Sequence, residues 1–114
     1  YTDMNFRAHN IIHAPIAAGL GSDAFRAAIE DEWLPALGRF APQMIFISAG
    51  FDGHRDDELA QLCLTEDDYA WVTRVVHELA ARHAQGRIVS VLEGGYDLPA
   101  LARSVRAHLD VLLT

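Results

Sequence analysis

Three carboxylates and an imidazole fall within the six residues Asp52-Gly53-His54-Arg55-Asp56-Asp57. Oxygen and nitrogen donors in that combination are the raw material of a metal site, and Asp52-x-His54 has the spacing of a metal clamp. A calcium hand is a poor match, because its internal glycine and terminal glutamate are not at the required spacing. The run before the donors, Met44-Ile45-Phe46-Ile47, is short, rich in β-branched residues and flanked by Pro42 and Gly50, which predicts a buried parallel strand. Ser48, Ala49 and Gly50 are small enough for the backbone to turn sharply out of the sheet. The donors therefore emerge at the carboxyl end of a strand, where open parallel α/β sheets bind their ligands.

A second place capable of chemistry is Leu92-Glu93-Gly94-Gly95-Tyr96-Asp97-Leu98. Gly94 and Gly95 allow a close backbone approach, and Tyr96 follows them with a phenol that can donate a hydrogen bond. The apolar run Ile88-Val89-Ser90-Val91-Leu92 before it predicts a second buried strand. Asp52 and Tyr96 then lie just past the carboxyl ends of consecutive parallel strands and share one rim. Gly94-Gly95 carries neither phosphate-loop fingerprint, so a nucleotide-binding reading is weak.

The elements that must position these residues follow from periodicity. Asn10–Ile16 reads as a short strand weakened by Pro15, preceded by a polar stretch, Tyr1–His9, that reads as the tail of an upstream loop. Ser22 stands where an N-cap belongs, and Phe25, Ile29, Trp33 and Leu37 form a helical stripe, with Pro35 kinking its last turns. Thr65 and Asp68 resemble a capping box for a second helix whose apolar face is Tyr69, Val72, Val76, Leu79 and Ala80, closed by Gly86. Asp97 and Pro99 open a third helix with Leu98, Leu101, Val105, Leu109 and Leu112 on its apolar face. The order is β-α-β-α-β-α, an α/β fold with a small parallel sheet and helices on its faces. His77, His83 and His108 are expected on helix surfaces, Trp33 and Trp71 in packing roles, and Cys63 as an unreactive thiol.

Ile47-Ser48-Ala49-Gly50-Phe51-Asp52-x-His54 resembles the metal-binding segment of the zinc-dependent histone deacetylase family, which includes bacterial acetylpolyamine amidohydrolases. Leu92–Leu98 resembles that family's glycine-glycine-tyrosine loop, and the similarity runs from about Asn10 to the end. The resemblance implies the three-layer arginase/deacetylase fold, of which residues 1–114 would be the C-terminal part. It implies Asp52 as one of three zinc ligands, the other two and a pair of general-base histidines lying upstream of Tyr1. Tyr96 would polarise the substrate carbonyl, Gly94 and Gly95 would bring the loop to the substrate, and Leu59 would be an apolar wall of the acyl-lysine tunnel. Asp57-Glu58-Leu59 departs from the family's pattern, which has proline where Glu58 stands. In the related arginases the residue matching His54 is an acid that helps hold a second metal. A histidine there resembles the single-zinc deacetylases, and gives His54 a supporting role behind the ligand. The implied reaction is hydrolysis of an acyl-amide, such as acetyl-lysine or acetylpolyamine, by metal-activated water. A non-catalytic α/β module, or a degenerate copy serving in interaction or assembly, stays open beside it.

Composition bounds the partners. The chain has 114 residues, 51% of them hydrophobic, and a net charge of −7. All nine of its cationic residues are scattered arginines, so the concentrated basic face that nucleic acid requires is missing. The acidic balance could steer a cationic substrate or simply maintain solubility. No apolar run approaches the ~20 residues that span a membrane. Cys63 is the lone cysteine, which excludes an intrachain disulfide and suits a cytoplasmic location. A piece cut from a larger sheet is expected to self-associate or to pair with its missing N-terminal part.

Overall fold

The computed structural model describes residues 10–114, and Tyr1–His9 lies outside them. Its centre is a two-stranded parallel sheet, β1 (Ile45–Ala49) and β2 (Ile88–Leu92), in register from Ile45 opposite Ile88 to Ala49 opposite Leu92. Helix α3 (Glu66–His83) makes the crossover between the strands, as parallel pairing demands. Helix α4 (Leu98–Leu112) follows β2 and packs along α3.

The amino-terminal helical stripe is built differently from a straight helix. α1 (Ser22–Ala28) passes into a π-helical turn, Ile29–Trp33, and then into α2 (Leu34–Phe40), with Pro35 in the first turn of α2. A stripe repeating every four residues drifts about 120° over the twelve residues from Phe25 to Leu37 on an ideal α-helix. One π turn absorbs most of that drift, and it comes just before the proline, whose missing N–H could not continue the α ladder. Ala41 ends the helix in the left-handed conformation, φ 53°. Ser22 is not the N-cap: Gly21 is, and the Ser22 hydroxyl instead donates to Asp68 Oδ2 at 2.6 Å.

Asn10–Ile16 forms no strand among the described residues. Its place near the fold is set through the following turn: Gly19 N donates to Gln61 O and Cys63 N to Leu20 O, at 2.7 and 2.9 Å. Arg55–Leu64 doubles back on itself, with Arg55 N to Leu64 O at 2.8 Å and Leu64 N to Gly53 O at 3.0 Å.

The core lies on one side of the sheet, where Ala49, Phe51, Leu64 and Tyr69 are buried with Phe25, Ile47, Leu62, Leu101 and Val105 against them. The buried line of α4 is not its leucines but Ala100, Ser104 and His108, spaced four apart. Leu98 and Leu109 are exposed. Small residues at Ala80, Ala84, Ala100 and Ser104 bring α3 and α4 close together, so the large side chains are displaced to the flanks.

His108, expected at the surface, is buried and holds three elements together. Thr73 Oγ1 donates to Tyr69 O at 2.5 Å, so its oxygen accepts from His108 Nδ1 at 2.8 Å, and Ser90 Oγ donates to His108 Nε2 at 2.8 Å. Burial lowers the His108 pKa and so favours the neutral imidazole, in which Nδ1 donates to Thr73 and Nε2 accepts from Ser90.

Candidate functional site

The carboxyl ends of β1 and β2 are joined across their exits. Glu93 N donates to Ala49 O and Phe51 N to Gly94 O, both at 2.9 Å. Phe51 then turns into the core, edge-on to Tyr69 at 5.0 Å and to His108 at 5.6 Å between ring centroids. That anchor leaves the next residue, Asp52, half-buried at the rim. Its carboxylate lies against the backbone of Gly94: a Cβ there would meet Asp52 Oδ1 at 3.0 Å and Cγ at 3.1 Å. Only glycine leaves that space.

Among the described residues the Asp52 oxygens receive no hydrogen bond. A carboxylate with free lone pairs fits one position of a metal's ligand set. The described residues hold no cluster of three or more histidine, cysteine or carboxylate groups around a single point, so the remaining ligands would have to come from elsewhere.

Gly95 adopts φ +139°, and a Cβ there would lie 2.6 Å from Leu101 Cδ1. The glycine lets the chain turn over α4 and delivers Tyr96 to the same rim, where its side chain is 60% exposed. Asp97 caps α4, its Oδ1 accepting from Ala100 N at 3.0 Å. Leu59 is also exposed at 66%, an apolar side chain on the loop after Asp52.

His54 faces away from solvent, its side chain 1% exposed. Nδ1 accepts from Asp56 N at 3.0 Å, and Nε2 stands 3.3 Å from Glu66 Oε2 without hydrogen-bond alignment. Both ring nitrogens are turned to groups of the chain, so the imidazole has no lone pair to offer a metal at the rim. It braces the loop that carries Asp52. Glu66 is bound in turn by Arg103 of α4, which holds its carboxyl down to about 2, and Arg103 also reaches Asp56 at 3.1 Å.

Two further residues complete the arrangement. Asp57, 5% exposed, accepts at Oδ1 from Leu59 N at 3.0 Å and at Oδ2 from Tyr96 N at 2.7 Å and Asp97 N at 3.1 Å. Those amide hydrogen bonds, Leu59's first and Tyr96's next, hold its carboxyl below the ordinary range against the opposing effect of burial. Tyr69 lies beneath, its hydroxyl buried without a hydrogen-bond partner among the described residues, and its pKa is raised by burial and then by the charge of Asp52. The departure Asp57-Glu58-Leu59 was the sequence's hint at Asp57, but nothing local tied it to a loop 39 residues away.

The surface concavities lined by His13, Pro15, Asp31 and Glu32, and by Phe40 to Met44, include no residue of this rim. Asp52, Leu59 and Tyr96 thus lie on the two loops that leave the carboxyl ends of β1 and β2, with Leu59 and Tyr96 exposed.

Residues 2–112 match the histone deacetylase domain family. The chain is 40% identical over 107 residues to the type-2 histone deacetylase 2 of Dictyostelium discoideum, covering 91% of this chain and 6% of that protein. It is 44% identical over 85 residues to the histone deacetylase-like amidohydrolase of Pseudomonas aeruginosa, covering 75% of this chain and 22% of that one. The crystal structure of the HDA15 HD domain superposes with a TM-score of 0.78 at 33% identity, over 85% of this chain and 26% of that chain. The chain therefore spans less than a quarter of the length of these two relatives and about a quarter of that structure.

Proposed function

We propose, from the premise that this chain belongs to the histone deacetylase family, that the protein containing it is a zinc-dependent amidohydrolase acting on an acylated amine such as acetyl-lysine or acetylpolyamine. The observation that carries the reading is the Asp52 carboxylate, which receives no hydrogen bond among the described residues and lies against Gly94 on the loop that presents Tyr96. When bound, zinc would supply Lewis-acid polarisation of the amide carbonyl and a water acidic enough to act as nucleophile near neutral pH.

The chain's own residues do the rest of what is assigned here. Asp52 would hold the metal from the β1 side. The Tyr96 phenol would donate a hydrogen bond to the carbonyl oxygen, an interaction that strengthens as negative charge develops there. Leu59 would offer apolar surface to the acyl-bearing chain. The net charge of −7 would favour encounter with a cationic amine such as a polyamine or a basic tail.

The test is made on the full-length protein. Asp52→Ala should lower bound zinc sharply, because one of three ligands is lost. Tyr96→Phe should keep its zinc and fold while turnover of an acetylated amine falls by about two to three orders of magnitude. Stoichiometric zinc of normal affinity in Asp52→Ala would sink the metal assignment. Full turnover in Tyr96→Phe would leave the tyrosine a packing residue only.

A further inference from the structure

Asp57, the last carboxylate of the Asp52–Asp57 loop, touches both halves of the rim. It leaves the loop after Asp52 and reaches the backbone of the glycine-rich loop 39 residues later. One oxygen takes the Leu59 amide and the other takes two consecutive amides, Tyr96 and Asp97. Amides of successive residues converging on one oxygen fix the local backbone direction, and here that backbone carries the phenol. The loop needs such a tie. Gly94 and Gly95 give it wide conformational freedom, and the exposed Tyr96 ring has little packing of its own to hold it.

We propose that Asp57 is the positioning residue for Tyr96, fixing the backbone from which the phenol reaches the substrate carbonyl. This rests on the reading of Tyr96 as the group that polarises that carbonyl. Asp57 does not itself touch substrate. It acts by holding the Tyr96 and Asp97 amides, and through Leu59 it sets the loops on the two sides of the rim at a fixed separation. A donor displaced by about 1 Å can lose about a hundredfold in rate. The carboxylate can accept at both oxygens, whereas an asparagine could serve only one side and would turn N–H toward N–H on the other.

The experiment is a double-mutant cycle in the full-length protein, with Asp57→Ala made alone and in the Tyr96→Phe background. The expected result is a fall in kcat of roughly ten- to a hundredfold for Asp57→Ala alone, with bound zinc retained. In the Tyr96→Phe background, where the hydroxyl to be positioned is already gone, the same change should cost almost nothing more. An equal loss in both backgrounds, a loss of zinc, or unchanged turnover in Asp57→Ala overturns the proposal. If Tyr96→Phe lowers turnover and Asp57→Ala does not, the positioning role alone fails. If Tyr96→Phe has no effect, the catalytic reading falls and this inference with it. Amide hydrogen exchange on the unaltered protein decides independently of any variant's folding. The Tyr96 and Asp97 amides should exchange well below the rate of open-loop amides, and exchange at that open-loop rate overturns the proposal.

Discussion

At the scale of single residues, Gly94 and Gly95 look interchangeable in the sequence but answer to different constraints. Gly94 is set by its neighbour: a methyl group would sit 3.0–3.3 Å from all three carboxyl atoms of Asp52. Gly95 is set by its own backbone, φ +139°, which side-chain-bearing residues rarely adopt. The two alanine substitutions should therefore separate. Gly94→Ala should leave the melting temperature of the full-length protein nearly unchanged while weakening zinc affinity about 10- to 100-fold, the usual cost of disturbing what orients a ligand. Gly95→Ala should destabilise the fold by about 1–3 kcal/mol. Chelator competition and thermal unfolding on both variants check this, and the same profile for both would refute it. The places of Asp52 and Tyr96 at the strand exits were legible in the sequence because each ends a local motif, an apolar strand running into small residues and then a polar side chain. The tie from Asp57 to the glycine-rich loop was not, since its partners are backbone amides, which carry no sequence signature.

At the scale of elements, β2 and the starts of α3 and α4 follow from local chemistry, whereas Asn10–Ile16, expected as a strand, forms none among the described residues and β1 runs Ile45–Ala49 rather than Met44–Ile47. β2 occupies the predicted Ile88–Leu92, the Asp97 cap is in place, and Thr65 N donates to Asp68 Oδ2 at 2.9 Å as a capping box requires. What the sequence left hidden was the choice between a local and a distant partner. Ser22 could have capped its own helix, but Asp68 lies fully buried and collects its hydroxyl, the Thr65 amide and Arg26. Burial alone would raise the Asp68 pKa, and those three donors bring it below its ordinary value. His108 was hidden for a related reason, since an i, i+4 line of alanine, serine and histidine does not read as a buried face. Its titration gives a test. The folded state disfavours the imidazolium, so the stability contributed is present above the unfolded pKa of about 6.5 and declines as pH falls below it. Unfolding below that pH takes up a proton at His108, and the unfolding free energy should fall more steeply with acidification in the unaltered protein than in His108→Gln. Parallel pH dependences for the two would show that the ring is not buried neutral.

At the scale of the whole molecule, the described part of the fold is covered on one face and bare on the other. Phe46 and Val89 are cross-strand neighbours in the parallel register, as are Ser48 and Val91. On this face Phe46 is 70% exposed and Val91 56%, while Ile45 and Ile47 turn the other way toward the core. With only two strands, both outer edges of the sheet also present unpaired backbone groups among the described residues. A relative several times longer has chain enough to cover that face and extend the sheet, and the family's larger members match this chain over only a fraction of their length. Alone, the 114 residues should find the missing cover in one another. The expectation is that the isolated chain dimerises or forms larger species at micromolar concentration in sedimentation velocity. Phe46→Lys with Val91→Glu should shift it toward monomer, since a charge resists burial at a new apolar contact. The same pair introduced into the full-length protein should have the opposite consequence, lowering its stability, because there the face would already be covered. A monodisperse monomer of the unaltered chain, together with a full-length protein indifferent to the two substitutions, would mean that this face is solvent-exposed by design.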